Sequence, residues 1–137
     1  MLQELADIIN SVNSEYVVHY EERNMYNIDA DELGRDGKFC YIEEFATGSI
    51  DNSRSLIDSA NVQLYFYQFI EMQDTALARE AIRKEIKQDI VYPFIRAMKI
   101  NRQNQLKNYN WEYPPSWFDA NEVGVLLTFN FKEYQCD

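Results

Sequence analysis

Apolar and polar positions alternate along three segments of the chain, which is the pattern of half-buried β-strands. The segments are KFCYIEEF at 38–45, NVQLYFYQFI at 61–70 and VGVLLTFNFKEY at 123–134. A brief apolar run, YVVHY at 16–20, predicts a further strand. Residues 47–61, TGSIDNSRSLIDSAN, are rich in Ser, Asp and Asn and predict a connection between two of the strands, although their Ile and Leu residues argue against a wholly floppy one.

Two other segments repeat apolar residues at helical spacing. Residues 2–13 predict a short amphipathic helix, and residues 74–98 predict a long one that starts at a cap from Asp74 or Thr75. Apolar residues recur every four positions in the long helix, at Ala78, Ile82, Ile86, Ile90, Phe94 and Met98. Pro93 lies inside this pattern and lacks a backbone donor, so we expect the helix to kink or end near 91–92.

The remaining segments predict connections. Residues 21–38 are acidic, contain two glycines and predict an exposed loop or hairpin tip. In residues 101–121, Pro114 and Pro115 exclude regular helix and allow only a short or edge strand. Residues 1–137 therefore predict a single α+β domain. It consists of a single-layer antiparallel or mixed sheet of about four strands, packed by one long and one short helix.

The strand at 61–70 raises the question of what covers its second face. Tyr65, Tyr67 and Phe69 share that face, and in the simplest register Leu126 and Tyr134 of the last strand join them. A mixed aromatic and polar face of this kind is typical of a subunit contact. We therefore expect the three rings to be partly exposed in an isolated chain and covered in an assembly. The alternative is that the first helix or the long loops cover them.

A second aromatic group surrounds the two prolines and consists of Trp111, Tyr113, Trp117 and Phe118. Trp and Tyr are enriched at the centres of protein interfaces because they bury a large area with few rotatable bonds. These four residues are therefore candidates for an interface. They could equally fold back and close one end of the core.

Charge narrows the class of partner. The chain has 13 Lys+Arg against 23 Asp+Glu, a formal net charge of −10. The basic residues Arg79, Arg83, Lys84 and Lys87 are interspersed with Glu80 and Glu85, which is typical of a solvated helix face. We therefore expect no direct sequence-specific binding of nucleic acid and no membrane binding.

Cysteine usage and targeting signals bear on localisation. Cys40 and Cys136 are the only cysteines and have no metal-ligand spacing, so two free thiols in a reducing compartment are expected. No secretion signal and no apolar run of membrane-spanning length occurs, so we expect a soluble, intracellular protein.

The sequence offers few groups for catalysis. His19 is the only histidine, and no nucleophile, zinc or phosphate-loop motif accompanies it. The acidic stretch 29–40 has Asp29 and Asp31 in calcium-loop positions, but Leu33 and Cys40 occupy positions that require oxygen ligands. We therefore expect no catalytic, cofactor or metal site. An enzyme that uses His19 with a carboxylate is therefore the least favoured functional hypothesis.

The order of these elements resembles that of bacteriophage tail terminator or tail-completion proteins. A short helix, KFCYIEEF after an acidic loop, a polar connection, NVQLYFYQFI, a long helix and VGVLLTFNFKEY carry the resemblance, which spans most of the chain without a diagnostic motif. It implies a non-enzymatic structural protein that associates with itself into a ring and joins other tail or neck proteins. The alternative hypothesis is an acidic protein-binding or inhibitory module that occupies a basic partner.

Overall fold

The fold follows the order that the apolar pattern predicts, with one strand added. The computed structural model describes residues 2–19, 37–50, 55–70, 76–101, 106–114 and 122–136. The elements in those ranges are α1 (Leu2–Val12), β1 (Tyr16–His19), β2 (Lys38–Ile50), β3 (Ser55–Phe69), α2 (Ala76–Ile86), a π-helical turn (Lys87–Val91), α3 (Tyr92–Asn101), β4 (Leu106–Glu112) and β5 (Glu122–Cys136). The predicted cap of the long helix and most of the predicted acidic loop lie outside the described residues.

The strands form one five-stranded sheet in the order β1-β2-β3-β5-β4. β1 runs parallel to β2, and the other neighbouring pairs are antiparallel, so the sheet is mixed. The structure confirms the α+β class and the mixed sheet. It also confirms one long helical segment and one short helix. The sheet has five strands where about four were expected, because Leu106–Glu112 adds an edge strand ahead of Pro114.

The prediction of a connection at 47–61 is wrong. β2 continues to Ile50 and β3 already begins at Ser55, so that the two strands pair continuously from Lys38↔Gln68 to Ile50↔Leu56. β5 pairs with the same part of β3 as far as Ser55↔Cys136. Asp and Asn are depleted in strands, but strand preference depends strongly on pairing context. Here β2 and β5 pair with the backbone of β3 on both of its sides, and this pairing stabilises the strand.

The helices cover one face of the sheet. Side chains at alternate positions of β2, β3 and β5 point to that face and bury an apolar core with α1, α2, the π-helical turn and α3. This core includes Leu5, Ile9, Cys40, Ile42, Leu64, Phe66, Ile86, Ile90, Phe94, Met98, Val125 and Leu127. The alternation predicted along these strands places Cys40, Ile42, Val62, Leu64, Phe66, Val125, Leu127 and Phe129 in this core.

The π-helical turn explains how a strict four-residue spacing stays on one face. From Ile82 to Met98 a regular α-helix would rotate the apolar stripe by about 160°, since each residue turns about 100°. The wide turn at 87–91 accommodates about one extra residue and removes roughly 100° of that drift. The Tyr92 N–H donates to the Lys87 carbonyl five residues back, directly before Pro93. The irregularity was expected at this position, but the alternative that the helix ends there is wrong, since α3 continues to Asn101.

Candidate functional site

The aromatic rings on the second face of the sheet are buried within a single chain. Tyr65 and Tyr67 are 1% and 0% exposed, so the expectation that they would be partly exposed in an isolated chain is wrong. Their rings stack at 4.8 Å between centroids, and Phe39 of β2 stacks on Tyr67 at 5.6 Å. Alternation along a strand assigns a ring to a face, but the packing of rings from neighbouring strands decides whether it is exposed.

Phe69 lies at the margin of this second cluster. Its ring meets that of Tyr67 edge-on at 5.7 Å, and it is only partly buried. Tyr134, which was expected beside these rings, pairs through its backbone with Ile57, eight residues along β3 from Tyr65. Leu126 does join the cluster, because it pairs with Tyr65.

A glycine on β5 lets the rings approach the sheet closely. A Cβ atom at Gly124 would lie 2.7 Å from Cε1 of Tyr65 and 2.7 Å from Cβ of Tyr67, and it would also meet the backbone oxygen of Phe66. Gly124 pairs with Tyr67 in the ladder, so the absent side chain leaves room for the two stacked rings.

The second cluster ends in a buried carboxylate. The hydroxyl of Tyr65 donates to Oε1 of Glu122 at 3.0 Å, and Glu122 is only 2% exposed. Burial raises the pKa of the Tyr65 hydroxyl above its ordinary value, and the neighbouring charge of Glu122 raises it further. This contact fixes the start of β5 against β3 and has the character of a structural polar contact in a core.

The exposed aromatic residues lie instead at the edge of the sheet. Trp111 on β4 and Tyr113 immediately after it are 43% and 37% exposed, and their ring centroids are 5.2 Å apart. β4 is the last strand of the sheet, and its outer edge pairs with no strand in the described part of the chain. Of the four predicted interface residues around the prolines, these two keep a surface that a partner can reach. Trp117 and Phe118 lie outside the described residues.

Two cations of the helical layer lie over these rings. The Lys87 Nζ is 4.0 Å from the centroid of Trp111 and 5.0 Å from that of Tyr113, and the Arg83 guanidinium carbon is 5.0 Å from that of Tyr113. Such distances allow cation–π attraction, which also holds the rings in place. We call Arg83, Lys87, Trp111 and Tyr113 the cation–aromatic patch.

Sequence reasoning identified half of this patch. The aromatic pair was predicted as an interface candidate, whereas Arg83 and Lys87 were interpreted as part of a solvated helix face. Their spacing of four places both on one side of the helix, and that was the available signal. The strand that lies beside this side of the helix is β4. The sequence did not predict β4 as a defined element, so the contact between these cations and its rings could not be predicted.

The single histidine does not take part in this patch. His19 ends β1 at the opposite edge of the sheet, is 8% exposed, and its ring lies 6.2 Å from that of Phe39. Its surroundings on the second face are aromatic, which is typical of a histidine that packs in a core.

The two cysteines lie far apart in the ladder. Cys40 pairs with Phe66 and Cys136 pairs with Ser55, eleven residues further along β3. Eleven residues of strand span about 36 Å, so the two cannot form a disulfide with each other within one chain. Cys40 is a free, buried thiol, and burial raises its pKa well above the usual value.

A shallow polar depression lies between β3, β5 and β4. It has a volume of about 500 Å³, and its lining includes Asn61, Gln63, Asn110, Thr128 and Asn130. Among the described residues, the lining carries no charged side chain, although the protein as a whole is strongly acidic. Its half-exposed amides suit the wet face of an antiparallel sheet.

No metal site forms among the described side chains, since no three His, Cys, Asp or Glu residues come together there. Asp29 and Asp31, the residues that partly match a calcium loop, lie outside the described ranges. Among the helices of the described ranges, none is long and apolar enough to cross a membrane.

The fold and the patch thus define an α+β protein with a five-stranded mixed sheet, a one-sided helical layer and an exposed cation–aromatic edge. No protein-family model matches the chain, and no curated protein shows significant similarity to it.

Proposed function

We propose that this chain is a non-enzymatic structural protein that assembles with copies of itself. In this proposal it is a ring-forming head–tail joining component, similar to phage or prophage tail terminators, and it acts in the host cytoplasm or in the virion. The observation that carries the proposal is the exposed pair Trp111 and Tyr113 beside the outer edge of β4, which pairs with no strand in the described ranges. Exposed Trp and Tyr held rigidly at an unpaired strand edge have the composition of an interface centre.

The order of the elements gives further support. The short helix, the three long strands and the long helical segment occur in the order on which the resemblance rests. The rings of Tyr65 and Tyr67 no longer contribute, because they are buried within one chain.

The two edges of the sheet are suited to a closed ring. β1 and β4 lie at opposite edges and differ in length, so a contact between neighbouring copies would join two different surfaces. Contacts of this heterologous type generate rings when the rotation closes.

The test is the molar mass of the purified chain in solution, measured by light scattering over a wide range of concentration. We expect a defined oligomer or a concentration-dependent one. Trp111→Ala should weaken the association by about 2 kcal/mol, roughly 30-fold, if Trp111 lies at an interface centre.

Leu77→Ala is the matched control, because Leu77 is a large apolar residue that is 77% exposed and lies in the first turn of α2. It should leave the association unchanged. Circular dichroism of both variants checks that they are folded. A wild-type chain that stays monomeric at the highest concentrations would contradict the proposal.

The net charge of −10 favours a second candidate, an acidic module that binds or inhibits a basic protein. This candidate predicts a monomer that binds basic proteins with an affinity that falls steeply as salt is added. The same scattering measurement, repeated with and without a basic test protein such as a histone, separates the two functions.

A further inference from the structure

The cation–aromatic patch places two cations at one edge of an acidic protein. Arg83 and Lys87 both lie over the exposed rings, whereas Lys84, on the same helix, pairs with Glu80 at 3.6 Å. In a chain with a net charge of −10, an accessible cationic and aromatic surface is complementary to most of the remaining surface of a second copy.

The segment that forms the other edge of the sheet contains acidic residues and no basic ones. Residues 2–19, which form α1, β1 and the turn between them, contain Glu4, Asp7 and Glu15 and no Lys or Arg. Glu15 is paired with Lys38 at 3.0 Å. Asp7 is exposed on α1 and accepts a hydrogen bond from the side-chain amide of Gln3 at 2.9 Å. Because this amide is neutral, the contact does not compensate the charge of Asp7.

These two surfaces belong to elements at opposite edges of the sheet. α1 packs against β1 and α3, and β1 is the edge strand furthest from β4 in the sheet order. A contact between them therefore joins two different surfaces of neighbouring copies. Such contacts can continue from copy to copy until the ring closes. α3, which packs against α1, carries two cations, Arg96 and Lys99. We therefore define the acidic surface as the exposed side of α1 alone.

We infer that the cation–aromatic patch of one copy binds the acidic, exposed side of α1 on a second copy, with Lys87 facing Asp7. This inference rests on the proposed function and names the surfaces that meet in the assembly. The exposed rings of Trp111 and Tyr113 supply the apolar contact, and the opposite charges select the orientation.

Charge reversal tests the inference directly. Lys87→Glu and Asp7→Lys should each weaken self-association of the full chain at least about tenfold, because like charges placed together across an interface are costly. Lys84→Glu is the matched control for the first variant, since it changes the net charge equally on the same helix but at a residue that is paired with Glu80. It should change the association much less.

Restoration is the decisive result. An equimolar mixture of the Lys87→Glu and Asp7→Lys proteins can alternate, so that every contact again joins opposite charges. The double variant should likewise recover the association. Light scattering of each single variant, the mixture and the double variant at low salt measures all four cases.

The outcomes separate this inference from the function on which it rests. Restoration in the mixture and in the double variant supports it. A wild-type oligomer with no restoration in either case overturns it and leaves the assembly function standing. A wild-type chain that remains monomeric throughout overturns both.

Discussion

At the scale of single residues, two buried tyrosines differ in what their hydroxyl groups contact. The Tyr65 hydroxyl donates to the buried carboxylate of Glu122, whereas the buried Tyr16 hydroxyl has no hydrogen-bond partner in the described part of the chain. Tyr65→Phe should lower the free energy of unfolding by about 1.5–3 kcal/mol, the range for a hydrogen bond to a charged group. Tyr16→Phe should cost close to nothing. Urea unfolding of both variants at neutral pH measures the difference, and equal losses would contradict it.

The same tyrosines predict how stability responds to alkaline pH. Burial raises the pKa of the Tyr16 and Tyr65 hydroxyls above 10, and it raises the pKa of Tyr109 to about 12. Above pH 10 the unfolded chain loses these protons while the folded chain keeps them. Stability is therefore complete below pH 10 and falls as pH rises toward the folded-state pKa values, by about 1.4 kcal/mol per pH unit for each fully buried tyrosine.

Urea midpoints measured between pH 9 and pH 11.5 test this decline. Tyr16→Phe removes one of the titrating groups, so the variant should lose stability less steeply than the wild type over the same interval. A variant that declines as steeply as the wild type would show that Tyr16 is not the source.

Residue patterns predicted the candidate site only in part. Alternation along β3 correctly assigned Tyr65 and Tyr67 to the second face, but it carries no information on what packs there, and both proved to be buried. Trp111 and Tyr113 retain exposed rings, as an interface candidate requires. Lys87 was missed because its role arises from its contact with Trp111 on β4, which lies more than twenty residues further along the chain.

At the scale of elements, the π-helical turn and Pro93 depend on each other. Deleting the exposed Gln88 should convert the turn to regular α-helix and keep Ile82 and Met98 on the same face, since the turn holds about one extra residue. The deletion would also place Pro93 in a regular helix interior, where its ring meets the carbonyl four residues back. We therefore expect a loss of about 3 kcal/mol.

Adding Pro93→Ala to the deletion should recover most of that loss, because alanine restores the backbone donor and removes the ring. Urea unfolding of the wild type, the deletion and the combined variant measures the three free energies. No recovery in the combined variant would mean that the turn has another cause than the proline.

Elements with a strong period were the predictable ones. Both helices and the cores of β2, β3 and β5 follow from periodicity, β1 follows from a brief apolar run, and Pro114 correctly limited β4 to an edge. The outer parts of β2 and β3 did not follow, because their Ser, Asp and Asn residues form strand only through pairing with each other and with β5. Pairing is a long-range property that local composition does not encode.

At the scale of the whole molecule, the excess of negative charge should oppose folding at low salt. A net charge of −10 repels itself in the compact state, and added salt screens that repulsion beyond about 10 Å at 0.1 M. The thermal midpoint of a dilute sample should rise as sodium chloride is added at neutral pH. Near the sequence pI of 4.5 the salt effect should vanish. A midpoint that falls with salt at neutral pH would contradict this expectation.

The length of β3 has a hydrodynamic consequence. Its 15 residues reach about 50 Å when extended, whereas a sphere with the radius of gyration typical of 137 residues, about 14 Å, is only about 37 Å across. β2 and β5 run beside it for most of that distance. The described part of the sheet is therefore longer than such a sphere is wide, and we expect a single copy to diffuse more slowly than a sphere of its mass. On a gel-filtration column calibrated with globular standards, it would elute early and imitate a larger species.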